Sequence, residues 1–401
     1  MITESTNNHI PQLRFPEFLN DGEWEVKRLG DLFVRITDRN KENNKNVLTI
    51  SAQFGLVNQF EYFSKNVAAS DVTNYYIIQK GDFAYNKSRS QGYPFGAIKP
   101  LLLYDRGVVS TLYICFRLKE DSGCDADFFR FYFETGIIND QISNIAQEGA
   151  RNHGLLNIST EDFFNINFIV PPLSEQRRIA QALTALDELI AATNEKLEQM
   201  KAYKKGLMQK LFPAKGKKLP ELRFKGFEKD EEWVEKKYED CLDYEQPQSY
   251  LVSSENYKKT GVPVLTAGKT FILGFTDETF GVYTKLPVII FDDFTTDSRF
   301  VDFPFKAKSS AMKMLSVKDG NDLRFVFATM QNNEFKPHDH QRHWISIYSK
   351  FKVEIPSHAE QRKIADSFTS IDEMINQYTH KVTLLELYKK GLMQQLFPTS
   401  K

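Results

Sequence analysis

Cysteine is nearly missing from this sequence. Cys115, Cys124 and Cys241 are the only three in 401 residues, and their scatter gives neither an even disulfide framework nor a CxxC ligand pair. Long apolar runs are missing too: none approaches the roughly 18 residues of a membrane span. The opening Met1-Ile-Thr-Glu-Ser-Thr-Asn-Asn lacks the basic and apolar regions of a signal peptide. A disulfide scaffold and a membrane helix are thereby excluded, and a reducing, cytoplasmic setting is expected. Nor does charge of one sign dominate: 52 Lys and Arg stand against 53 Asp and Glu, a net charge of −1. A phosphate backbone, however, needs positive charge on one face, not in the total. Lysine and arginine outnumber acids two to one from Lys201 to Lys237, and Asn86–Pro100 carries Lys87, Arg89 and Lys99 with no acid.

Catalytic motifs are equally scarce. Gly268-Lys269-Thr270 looks like the end of a phosphate loop, but Pro263 stands where the earlier glycine is required. There is no glycine-rich turn opening a helix for a methyl donor, and no Asn/Asp-Pro-Pro-aromatic motif for amino methylation. His338-x-His340-x-x-His343 has metal-ligand chemistry, though a polar loop is the simpler reading. Asp292-Asp293 with Asp297 suggests a magnesium nuclease but lacks a convincing acid-x-lysine element. We expect no catalytic set, no cofactor and no metal on this chain.

What the sequence does contain is a repeat. Glu175–Pro213 recurs without a gap at Glu360–Pro398, identical at 20 of 39 positions. In the first copy Ile179, Leu183, Leu186, Ile190, Thr193, Leu197, Met200, Lys204, Leu207 and Leu211 recur at alternating steps of four and three. Ile364, Phe368, Ile371, Ile375, Tyr378, Val382, Leu385, Lys389, Leu392 and Leu396 repeat the pattern. This is a heptad seam, so each copy should be one helix of a coiled coil. Ser174 reads as an N-cap of the first helix, Ser357 with Glu360 as a capping box of the second, and Pro213 and Pro398 close them. A duplicated unit favours pseudo-two-fold symmetry, with the two helices antiparallel; the alternative is a coiled coil that makes a homodimer. About 36 helical residues give a rod of roughly 50 Å.

A weaker repeat opens the stretch before each helix. Pro11–Phe18 (PQLRFPEF) and Pro220–Phe227 (PELRFKGF) are followed at matched spacing by Trp24 and Trp233. Beyond these openings the two arms diverge almost completely. Val47–Ile50, Tyr75–Ile78, Tyr113–Arg117, Val264–Thr266 and Val288–Phe291 read as strands, Asp125–Thr135 and Asp322–Gln331 as helices. The expected class is α+β: mixed α/β arms at 1–170 and 214–355, with long helices at 171–213 and 356–401.

Two stretches have groups suited to phosphates and base edges. Asn86–Tyr93 gathers Lys87, Ser88, Arg89, Gln91 and Tyr93 around a glycine turn, where Arg suits guanine and Gln adenine. Its counterpart Phe291–Arg299 offers Thr295, Thr296, Asp297, Ser298 and Arg299, with acids able to accept from cytosine N4. Arg151 and Asn152, Lys308, and Arg342 are secondary candidates.

With the doubled helix starts (Pro171 to Arg177, Pro356 to Arg362), the doubled Lys-Gly-Leu-Met-Gln-x-Leu-Phe-Pro endings and the PxLRFxxF openings in hand, the chain resembles a type I restriction–modification specificity subunit along essentially its whole length. Asn86–Pro100 and Asp292–Ser310 look like pieces of that family's target recognition domains. The resemblance implies two such domains reading a bipartite site in double-stranded DNA, with helix length as the ruler for the spacer. It implies two methylation subunits that bring S-adenosylmethionine and methylate adenine N6, and motor-nuclease subunits that bring ATP and Mg, so that this chain is not itself an enzyme. The competing expectations are a stand-alone DNA-binding regulator and a coiled-coil scaffold.

Overall fold

The computed structural model describes residues 9–51, 54–63, 71–90, 92–148, 154–268, 270–333, 335, 337 and 341–398. The chain forms two compact units. Unit 1 holds Met1–Ala192 together with Val382–Lys401, and unit 2 holds Thr193–Lys381.

Unit 1 is built on β1 (Glu25–Arg28), β2 (Phe33–Ile36), β3 (Phe83–Asn86), β4 (Ala97–Pro100), β5 (Ile114–Leu118), the helix α1 (Ala126–Glu134) and β6 (Asn167–Val170). The long helix α2 (Leu173–Leu211) follows. Unit 2 has β7 (Val234–Lys237), β8 (Leu242–Glu245), β9 (Val288–Asp292), β10 (Ser298–Val301), β11 (Met312–Val317), α3 (Leu323–Gln331) and β12 (Lys352–Ile355), followed by the long helix α4 (His358–Leu396). The arm strands and arm helices named from the sequence form within two residues of their expected bounds. Their apolar runs are short, and Asp125 and Asp322 each cap a helix by accepting from the N–H three residues on.

The two arms share little sequence but one sheet. In unit 1 the antiparallel order is β2-β5-β3-β4, and in unit 2 it is β8-β11-β9-β10, strand for strand the same. In both, a two-stranded ribbon (β1 with β6, β7 with β12) joins the start of the arm to the strand that feeds the long helix. The PxLRF openings have a packing role. The Arg14 guanidinium grips Glu175 of α2 with two hydrogen bonds of 2.8 and 2.7 Å, and Arg223 grips Glu360 of α4 at 2.9 and 2.6 Å. The neighbouring glutamines recur as well. Gln176 accepts from Asp125 N–H and Gln361 from Asp322 N–H, and each donates to the proline carbonyl that precedes its helix.

Each core combines an arm, the start of the helix that follows it and the end of the other long helix. In unit 1, Trp24, Phe83, Phe116, Phe128 and Phe129 pack with Ile179 and Leu183 of α2 and with Met393, Leu396 and Phe397. In unit 2, Trp233, Phe291, Leu315 and Phe325 pack with Ile364, Phe368 and Ile371 of α4 and with Met208, Leu211 and Phe212. The ring geometry repeats: Trp24 lies 6.0 Å from Phe128, and Trp233 lies 5.9 Å from Phe325.

The helix segments run antiparallel within each unit. In unit 1, Asp187 meets Lys389 at 2.7 Å while Ile179 shares a core with Leu396. In unit 2, Lys204 meets Asp372 at 2.6 Å and Phe212 stacks on Phe368. The expected seam is the buried one: Ile179, Leu183, Leu186, Leu197, Ile364, Phe368, Ile371 and Val382 are buried, and Ile190 and Ile375 half-buried. Two details differ from the sequence reading. The first half of each seam belongs to an arm's core and not to the helix pair alone. Ser174 lies inside the first turn of α2, which starts at Leu173. At α4, Ser357 does receive the Glu360 N–H at 3.4 Å, but the Glu360 carboxylate goes to Arg223 instead of back to the cap.

Candidate nucleic-acid interface

The first candidate stretch is the connection between β3 and β4, which pair with Asn86 opposite Ala97. Asn86 turns the chain by accepting the Ser88 N–H at 3.1 Å. From Lys87 to Arg89 the backbone then runs beside a second segment: Arg89 N–H donates to Gly154 O at 2.9 Å and Leu156 N–H to Lys87 O at 3.1 Å. Ser90 and Tyr93 close a turn by exchanging backbone hydrogen bonds. Gly96 returns the chain to the sheet with φ near +80°, and a Cβ there would meet Asn86 O at 2.3 Å. Ser88 and Arg89 are exposed, and Lys87 and Tyr93 half-buried. Partial burial holds the Lys87 ammonium below the usual lysine range. Gln91, Arg151 and Asn152 lie outside the described residues, but Gly154 is directly against Arg89. The fold therefore brings the Lys87–Tyr93 loop and the 154–156 segment together.

The second candidate stretch occupies the same place in its sheet, between β9 and β10, where Phe291 is opposite Ser298. Asp292 is taken up by the turn: its carboxylate accepts the N–H groups of Phe294 and Thr295, each at 2.9 Å. Thr296 adopts φ of 61°, a left-handed conformation rare for a β-branched residue. Asp293 is buried and pairs with the buried Lys313 at 3.0 Å, while its other oxygen accepts Trp344 N–H at 2.8 Å. Its carbonyl accepts His343 N–H, also at 2.8 Å. Asp293 thus pins the segment that carries Arg342 beside the turn. Thr295, Asp297, Arg299 and Arg342 are exposed and Thr296 is half-buried.

Two candidates of this arm are engaged elsewhere. Ser298 is buried, and its hydroxyl accepts from the Gln331 amide at 2.9 Å. Lys308 is ion-paired with Glu255, and that hydrogen bond raises its ammonium above the usual range. It follows the strand Lys306–Ala307, which pairs with Val262–Leu265. The Arg299 guanidinium reaches Gly268 O, just beyond that strand, at 3.5 Å.

Two of the three carboxylates that suggested magnesium, Asp292 and Asp293, are therefore tied up in turn and core. Among the described residues no group of three or more His, Cys, Asp or Glu could hold a metal ion. His338 and His340 lie outside them, and His343 is buried with its ring 5.9 Å from that of Phe335. Sequence reasoning missed Lys313, which sits beneath the second turn, and Glu134 and Gln331, which end α1 and α3. A signal for the last two existed. Glu134 stands nine residues after Asp125 and Gln331 nine after Asp322, the two helix-capping aspartates.

Residues 21–202 match the family model for the type I restriction modification DNA specificity domain. Over 143 residues the chain is 49% identical to the type I restriction enzyme EcoR124I/EcoR124II specificity subunit of Escherichia coli. That match takes in 34% of this chain and only 35% of the relative's length. The type I restriction enzyme MjaVIII specificity subunit of Methanocaldococcus jannaschii is 23% identical across 96% of this chain and 93% of its own. In fold, the chain is similar to the crystal structure of a type I restriction–modification system S subunit from M. genitalium. The TM-score is 0.62 at 16% identity, covering 97% of this chain and 99% of that one. Residues 21–202 thus carry the sequence features of a type I restriction modification DNA specificity domain, and the chain as a whole is similar to type I specificity subunits.

Proposed function

We propose that this chain is the DNA-reading, non-catalytic subunit of a type I restriction–modification assembly. In this reading each unit recognises one half of a bipartite target in double-stranded DNA. The observation that carries it is the pair of equivalent hairpin loops. Unlike sequences, Lys87–Tyr93 and Asp293–Asp297, are mounted at the same place in the same sheet order, each beside a second segment of its own arm. A common mount with different contents is what a reader of two different half-sites needs. Lys87, Ser88, Arg89, Gln91, Tyr93, Arg151 and Asn152 supply the groups of the first arm. Thr295, Thr296, Asp297, Arg299, Lys308 and Arg342 supply those of the second, with Ser298 as a support. Arginine, amide and acid groups contact base edges, and lysines contact phosphates.

Chemistry belongs to the partners: two methylation subunits carrying S-adenosylmethionine for adenine N6, and motor-nuclease subunits carrying ATP and Mg. The assembly is placed in the cytoplasm as part of this reading; no described helix is long and apolar enough to cross a membrane. The test is a methylome. The chain is co-expressed with its methylation partner in a host that lacks adenine methylation, and modified adenines are mapped by single-molecule sequencing. A single split motif with a fixed spacer is expected. An assembled complex that modifies nothing would favour a stand-alone binder or a scaffold and overturn the reading.

A further inference from the structure

The strand that leaves the first loop is tied to the long helices by a run of charges. Lys99, the third residue of β4, is enclosed to 7% exposure. Its ammonium lies 3.2 Å from a Glu134 oxygen and 5.5 Å from the centre of the Tyr93 ring. The other Glu134 oxygen is 3.5 Å from Lys389 of α4. Lys389 is in turn 2.7 Å from Asp187 of α2, which also takes Arg130 of α1 at 3.1 Å. Tyr93, Lys99, Glu134 and Lys389 line one open cleft of about 770 Å³. Burial alone would raise the Glu134 carboxyl, but Lys99, Lys389 and Arg130 outweigh it and hold the group below the ordinary carboxylate range.

The second arm is built otherwise at the same positions. Phe300 stands where β4 has Lys99, and Phe327 where α1 has Arg130. Gln331, in place of Glu134, bonds the first residue of β10 through Ser298 at 2.9 Å. The pair Lys204–Asp372 repeats Lys389–Asp187, but a neutral amide now stands where the linking glutamate would be. The second hairpin is held by an amide and aromatic packing, and the first by a shared carboxylate.

We propose that Glu134 is a positioning residue for the half-site read by the first arm. Its carboxylate, shared between Lys99 and Lys389, fixes β4 and the Tyr93 end of the loop against α4. This rests on the reading of the chain as a bipartite DNA reader. Replacing Glu134 by glutamine keeps the shape but leaves the enclosed Lys99 without its counter-charge. Lys99 then moves outward, β4 moves with it, and the loop loses its fixed aim.

The experiment uses the complex of the full chain with its methylation partner. Initial methylation rates are measured on duplexes in which each half-site is altered one base pair at a time. In the wild type an altered base pair carries a penalty of about tenfold or more. For Glu134→Gln the penalties in one half-site are expected to shrink toward none, while those in the other stay at the wild-type value. Lys389→Met cuts the same tie from the helix side and leaves Lys99 paired, so it should give the same one-sided pattern even if Glu134→Gln does not fold. Relaxation of both half-sites together, or of neither, in the folded variants overturns the positioning role. A wild-type complex that assembles and methylates without regard to either half-site would instead refute the bipartite reading beneath it.

Discussion

Arg14 and Glu175 stand 161 residues apart in the chain and meet through two hydrogen bonds, with side-chain exposures of 3% and 1%. Arg223 and Glu360 repeat the pair in unit 2, 137 residues apart. An enclosed pair adds little over well-packed apolar groups, but breaking it strands one charge in the interior. Glu175→Gln is therefore expected to destabilise unit 1 by about 3 kcal/mol, read as a lower denaturation midpoint in urea. Glu360→Gln should do the same to unit 2. The sequence displayed both arginines and both glutamates as repeats, yet nothing local joined them. A glutamate that completes a capping box and one reserved for a distant arginine leave the same Ser-x-x-Glu trace. That is why Glu360 was legible as a repeat and misread in its role. The same limit applied to Asp292 and Asp293, whose adjacency suggests a metal until the turn and Lys313 are seen to occupy them.

At the scale of elements, what could be read was whatever is periodic or capped. The α2 and α4 seams were legible because a 3-4 spacing over many turns leaves no other structure that buries the same residues. The arm strands were legible as short apolar runs, and α1 and α3 as aromatic stripes opened by aspartate. The order β2-β5-β3-β4 was not, because such short strands pair through backbone groups that every sequence carries alike. The identity of the second sheet with the first was hidden for the same reason. The seam also grades its own mutations. Leu183 is fully buried in the core of unit 1, whereas Ile190 is only half-buried. Leu183→Ala should cost about 3 kcal/mol, and Ile190→Ala distinctly less, in paired urea titrations. Equal costs would mean that the helix pair contributes as much as the arm core.

For the whole molecule, the proposed reading makes helix length a determinant of target spacing. Seven residues inserted into α2 after Ile190 keep the seam in phase and add about 10 Å of helix. Methylome mapping should then show the spacer longer by roughly three base pairs, at about 3.4 Å each, with the letters of both half-sites unchanged. An unchanged spacer would remove the ruler from the model of function while leaving the reading arms in place.

Phe397 packs among Phe128, Tyr132 and Trp24, so the interior of the first arm is finished by a residue near the far end of the sequence. A ribosome making this chain releases Trp24 long before Phe397. While the second arm is made, the first waits with an aromatic socket open, whereas the second receives Phe212 before its own strands are made. The first arm, though made first, is therefore expected to close only after the second.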